Sequence, residues 1–75
     1  MFEIKVTKPV AVISENSRNG KTLELNRVQI NDSPVEQWDL RRWQIDRVTG
    51  EKQRMAGVCF HDDEMEELKK VLCDL

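Results

Sequence analysis

Apolar and polar residues alternate in short runs over the first two-thirds of the chain, and turn-forming residues separate the runs. This is the pattern of half-buried antiparallel strands, and four are expected. The first covers about residues 3–14, with Pro9 marking an edge or a bend because proline has no N–H to give a ladder. Residues 16–20 make the turn, where Asn19 and Gly20 tolerate positive φ. In the second strand, residues 21–31, Leu23 and Leu25 occupy odd positions but Val28 and Ile30 even ones. One extra residue near Asn26 and Arg27, a β-bulge, would produce that change of parity and would coil the sheet into a concave shape. After the loop Asn31-Asp32-Ser33-Pro34, the third strand spans residues 37–45, with Trp38 and Leu40 on one face and Asp39, Arg41 and Trp43 on the other. Residues 46–50 turn again, and the fourth strand covers residues 54–60 with Val58 and Phe60 pointing inward.

At Asp62 the period changes. Met65, Leu68, Leu72 and Leu75 recur at spacings of three and four and form one apolar helical stripe. Asp62, Asp63 and Glu64 suit the positive end of the helix dipole, and Lys69 and Lys70 lie nearer the other end. The cap is His61 or Asp62, since aspartate caps well and His61 stands three residues before Glu64. The expected fold is therefore α+β: a four-stranded curved antiparallel sheet followed by one C-terminal amphipathic helix, β-β-β-β-α, in a single domain over residues 1–75.

Length sharpens this picture. A chain of 75 residues hides only about 60% of the surface exposed by its unfolded form. Dimerisation is the expected supplement. Cys59 and Cys73 are too few for a disulfide scaffold and are expected to be small packing groups in a reducing compartment. Met1 and Phe2 open no signal-peptide pattern and no apolar run reaches membrane length, so a cytoplasmic protein is expected, nucleoid-associated if bacterial.

The formal charge of −2 conceals an uneven distribution. Residues 62–75 hold six acids and two bases, whereas residues 1–61 hold eight acids and ten bases, a net of +2. A helix covering one face of the sheet would leave a locally basic surface on the other. Arg41 and Trp43 share that other face. A cation beside an exposed ring suits single-stranded nucleic acid, because unpaired bases stack on aromatic side chains for about 1–3 kcal/mol each while cations hold the phosphates. Arg27, Lys52 and Arg54 would widen the track, the last two from the connection before the fourth strand. The competing reading places Trp43 in a core or interface, pairs Arg41 with Asp39 or Glu24, and leaves the other cations as solvated charge. Trp38, sharing parity with Leu40, is expected in a core or interface.

Catalysis finds no support. His61 is the sole histidine and stands at a helix start, without a serine and acid arranged around it. The cysteines and His61 lack zinc-ligand spacing, no glycine-rich loop is present for a nucleotide, and the acids of residues 62–67 lack the calcium-loop glycine. No metal, cofactor or small-molecule substrate is expected.

Asp39-Leu40-Arg41-Arg42-Trp43 before a charged turn, and Gly57-Val58-Cys59-Phe60 leading into the helix, resemble the positive cofactor four family of transcriptional coactivators. The likeness is greatest to its short bacterial members, through Ser14-Glu15-Asn16, Leu25-Asn26-Arg27-Val28 and Asn31-Asp32, and it covers about residues 12–72. The resemblance implies a homodimer with helices at the two-fold interface and curved sheets that bind single-stranded DNA with little sequence preference. It implies nucleic-acid contacts at Arg41, Trp43 and Arg27. Ala56 departs from the pattern, since family members commonly carry lysine immediately before this glycine; Lys52 and Arg54 are displaced substitutes. The expected function is single-stranded DNA binding in transcription regulation or DNA maintenance. The alternatives are an RNA binder and a dimeric protein-interaction module of the same fold.

Overall fold

A computed structural model describes residues 3–16 and 18–75. Met1 and Phe2, and Ser17 within the first turn, lie outside the described residues. The elements are β1 (Ile4–Asn16), β2 (Lys21–Ile30), β3 (Glu36–Ile45), β4 (Lys52–Phe60) and α1 (Asp62–Cys73). Each strand pairs antiparallel with the next, in the order β1-β2-β3-β4. The β-β-β-β-α architecture read from the sequence is the one observed.

The connections follow from local chemistry. Gly20 adopts φ +68°, and a Cβ there would stand 2.9 Å from the Ile45 carbonyl oxygen. Only glycine lets this loop approach closely enough for Ile45 N–H to donate to the Gly20 carbonyl at 2.9 Å. Asn31 takes φ 53°, a conformation asparagine tolerates, and its side chain accepts from Glu3 N–H at 2.9 Å. Asp46 closes the β3–β4 turn by accepting from the N–H groups of Val48 and Thr49 at 2.8 and 3.3 Å. His61 is the helix cap, and its backbone N–H donates to the Glu64 carboxylate at 3.0 Å.

Register distributes the side chains between two unlike faces. Pairing of Leu25 with Leu40, Leu40 with Val58, and Trp38 with Phe60 makes the helix-side face apolar. Pairing of Thr22 with Trp43, Glu24 with Arg41, Asn26 with Asp39, and Asp39 with Cys59 makes the other face polar. The polar face is nonetheless tightly covered, since Thr22, Glu24, Asn26 and Asp39 are all buried. The apolar face is thinly covered, with Phe60 and Met65 buried but Val58 54% exposed.

Four expectations change here. The pairing of β2 with β3 runs without a shift from Lys21 to Gln29, so β2 carries no bulge. The extra residues lie on its partner β1, two of them opposite the Asn26–Arg27 region, and a further irregularity occurs on β4 between Gly57 and Arg54. The parity change in β2 reflects burial on both faces: Val28 is fully buried on the polar face, where it pairs with Val6 and Gln37. β4 starts at Lys52, two residues earlier than expected, so Lys52 joins Arg54 in the strand and does not belong to the connection, because the Asp46 turn closes the hairpin tightly. Val58 has the expected parity but is left uncovered, since α1 buries only Met65. Cys73 is exposed and so is no packing group, while Cys59 is half-buried on the polar face.

Candidate nucleic-acid interface

The polar face gathers Arg41, Trp43, Lys52 and Arg54 from β3 and β4, with Trp43 paired to Thr22 on one side and Arg54 on the other. Its ring lies between the strands that carry Glu24 and Lys52. Lys52 Nζ sits 5.2 Å from the Trp43 ring centroid, within the range of a cation–π contact. The same ammonium lies 2.6 and 2.7 Å from the two Glu24 carboxylate oxygens. Burial pushes the Glu24 carboxyl up, but hydrogen bonds from Lys52 and Thr22, the Lys52 charge and Asn26 together hold it below its ordinary value. Trp43 Nε1 is buried with no hydrogen-bond partner among the described residues, so the polar edge of the indole points into the protein.

Arg41 is more committed than its position suggests. Its side chain is 12% exposed and its Nε donates to both Asp39 oxygens at 3.1 and 3.2 Å. One terminal nitrogen donates to the Met55 carbonyl at 2.8 Å. Gly57, directly opposite, makes this crossing possible: a Cβ there would lie 2.6 Å from Arg41 Cβ and 2.7 Å from the Leu40 carbonyl oxygen. The Cys59 thiol donates to Asp39 at 3.2 Å, and its pKa is raised, first by burial and then by Asp39. Arg41 thus pairs with Asp39, as the competing sequence reading anticipated. Arg54 is exposed and makes no ion pair among the described residues.

Arg27 does not join this group. It pairs with Trp38 on the helix-side face, where its guanidinium lies 4.6 Å from the indole centroid. It bonds Asp62 at 2.6 Å and Glu36 at 3.3 Å, and its side chain is only 17% exposed. The odd numbering that Arg27 shares with Leu23 and Leu25 carries this placement, because β2 holds one register throughout.

A second basic cluster was not expected. Arg18, Lys21 and Arg42 line an open groove of about 590 Å³, with Glu15 and Asn16 on its wall. None of the three cations makes an ion pair among the described residues. They stand at the end of the sheet that also holds the β3–β4 turn, with Lys21 and Arg42 on the helix-side face beside Leu23 and opposite to that of Thr22 and Trp43. Asn16 and Asn19 shape this end by accepting from Arg18 and Lys21 N–H, each at 3.0 Å. The sequence carries part of the signal as two cations, Arg18 and Lys21, at one hairpin end, but only pairing of β2 with β3 brings Arg42 near Lys21.

Among the described residues, no group of three histidine, cysteine or acidic side chains is gathered as a metal-ion site. No helix among the described residues is long and apolar enough to cross a membrane. No family model matches the chain, and neither a curated protein nor a solved structure is significantly similar to it.

Proposed function

We propose that the protein is a sequence-tolerant single-stranded DNA-binding homodimer of the positive cofactor four type. The observation that carries this reading is the position of Trp43, on a sheet face turned away from the acidic helix and flanked by Lys52 and Arg54. A base stacks on the indole while the phosphates on either side meet cations. Lys21 and Arg42 share the helix-side face with Leu23 and do not extend this track. Arg41 shapes the floor through Asp39 and Met55 and is not a free phosphate contact.

The dimer belongs to the same reading. Leu68, Val71 and Leu72 leave an apolar stripe exposed on α1, and Val58 is uncovered on the helix-side face of the sheet. A second copy that brings the same stripe across a two-fold axis would cover it. The protein-interaction alternative draws on the internal pairing of Arg27, Arg41 and Lys52 with acids. Titration of labelled oligo-dT, oligo-U and duplex DNA, with sedimentation of the free protein, separates the readings. Binding to oligo-dT above duplex by a dimer supports the proposal, preference for oligo-U would make the ligand RNA, and binding to none favours a protein partner.

A further inference from the structure

The strands on either side of Trp43 contribute opposite charges. Glu24 comes from β2 and Lys52 from β4, so their ion pair bridges across β3. The bridge passes the indole, with Lys52 Nζ 5.2 Å from the ring centroid. The two ends differ in freedom: the Glu24 side chain is 7% exposed and the Lys52 side chain 44%. Thr22 also donates its hydroxyl to the Glu24 carboxylate at 2.6 Å. The carboxylate is therefore the fixed anchor, and the lysine, on its flexible stem, is the part able to move. Arg41 stands directly opposite Glu24 but is held by Asp39 and the Met55 carbonyl, so it does not substitute for Lys52. On the β1 side Glu24 faces Val12, which brings no charge.

We infer that the Glu24–Lys52 pair is a clasp over the Trp43 ring, and that a nucleic-acid base stacks there only when Lys52 passes from Glu24 to the ligand's phosphate. This rests on the reading of Trp43 as a stacking surface and adds that Glu24 limits the affinity. Opening the clasp leaves a buried carboxylate with its neutral hydrogen bonds but no cation, which is unfavourable. A phosphate repays part of that loss by taking the lysine. A free base or an uncharged aromatic compound has nothing to offer Lys52 in exchange, so the clasp favours a phosphate-bearing strand.

The test uses Trp38→Phe as background, which leaves Trp43 as the sole tryptophan of the two in the chain. Glu24→Gln is added because it keeps the side-chain shape and the acceptor for Thr22. In the ligand-free protein, acrylamide should quench Trp43 more strongly in Glu24→Gln than in the background. Oligo-dT affinity should tighten about two- to fivefold, the range open to a half-exposed ion pair. Adding Glu24→Gln to Lys52→Gln should bring no gain, because Glu24 acts through Lys52. Equal quenching overturns the clasp whatever the oligonucleotide does, and a gain that persists without Lys52 reduces Glu24 to a general charge effect and also overturns it. Stronger quenching with no binding by any of the proteins retains the clasp and overturns the nucleic-acid reading. If Glu24→Gln fails to fold, Lys52→Met opens the clasp from its other end, and unchanged quenching there overturns the inference equally.

Discussion

The indole N–H of Trp38 donates to Asp62 Oδ1 at 2.8 Å, which ties β3 to the first residue of α1. Arg27 reaches the same oxygen at 2.6 Å and lies over the Trp38 ring. One carboxylate thus joins β2, β3 and the helix, at the place where the apolar contact between helix and sheet is thin. Asp62→Ala should lower the melting temperature more than Asp63→Ala does. Both variants lose an acid near the helix N-terminus, but only Asp62 also loses its bonds to the sheet. Equal losses in thermal melts would show that the tie contributes nothing beyond the dipole.

Stability should fall in acid through Glu24 and Asp62. Burial opposes ionisation of Glu24, yet Lys52 and Thr22 hold its carboxyl below the ordinary 4.5, and Arg27 and then Trp38 hold Asp62 below 3.8. A depressed carboxyl pKa gives stability that is fully present above the unfolded value and is lost as pH falls through the folded one. Melting temperatures should therefore be level from neutrality to about pH 5 and decline below it. Glu24→Gln should make the decline shallower. A variant that declines as steeply as the wild type would remove Glu24 from the account.

Gly57→Ala should destabilise the fold by about 1–3 kcal/mol in urea unfolding, the usual cost of inserting atoms into a packed site. The added methyl would meet Arg41 Cβ and the Leu40 carbonyl oxygen, neither of which is the free end of a flexible chain. Displacing Arg41 also loosens its bond to Met55. A neutral result would mean that β4 shifts freely at its irregularity between Gly57 and Arg54.

Trp43→Ala and Arg27→Gln should separate binding from folding. The first should weaken oligo-dT binding by about 1–3 kcal/mol, the range for loss of one stacked base. The second should leave affinity near that of the wild type and lower the melting temperature, because Arg27 faces the helix and is spent on Asp62 and Glu36. Loss of affinity in Arg27→Gln at unchanged stability would return that residue to the interface.

The strand sequence, the turns and the helix were legible because each rests on local chemistry: alternation, Asn and Gly at turns, and acids before a stripe of period 3.6. The faces of β3 were legible for the same reason, and Arg41 and Trp43 do share one. Arg27 was misjudged because the apolar positions of β2 change parity at Val28. A bulge and burial on both faces leave the same trace in sequence. The partners of Arg41 were open between Asp39 and Glu24, and the outcome depends on Gly57, which lets the guanidinium cross to Met55. The Lys52–Glu24 pair spans 28 positions and two strand pairings, so no local pattern carries it. The same holds for Arg42 beside Lys21.

The central claim is that this sheet binds a single strand through phosphates as well as by stacking. Oligo-dT affinity measured from low to physiological salt tests it most directly. If Lys52 and Arg54 each neutralise one phosphate, log affinity should fall against log salt with a slope of about −1.4, at about −0.7 per phosphate on single strands. A slope near zero, or no binding at the lowest salt, would contradict it.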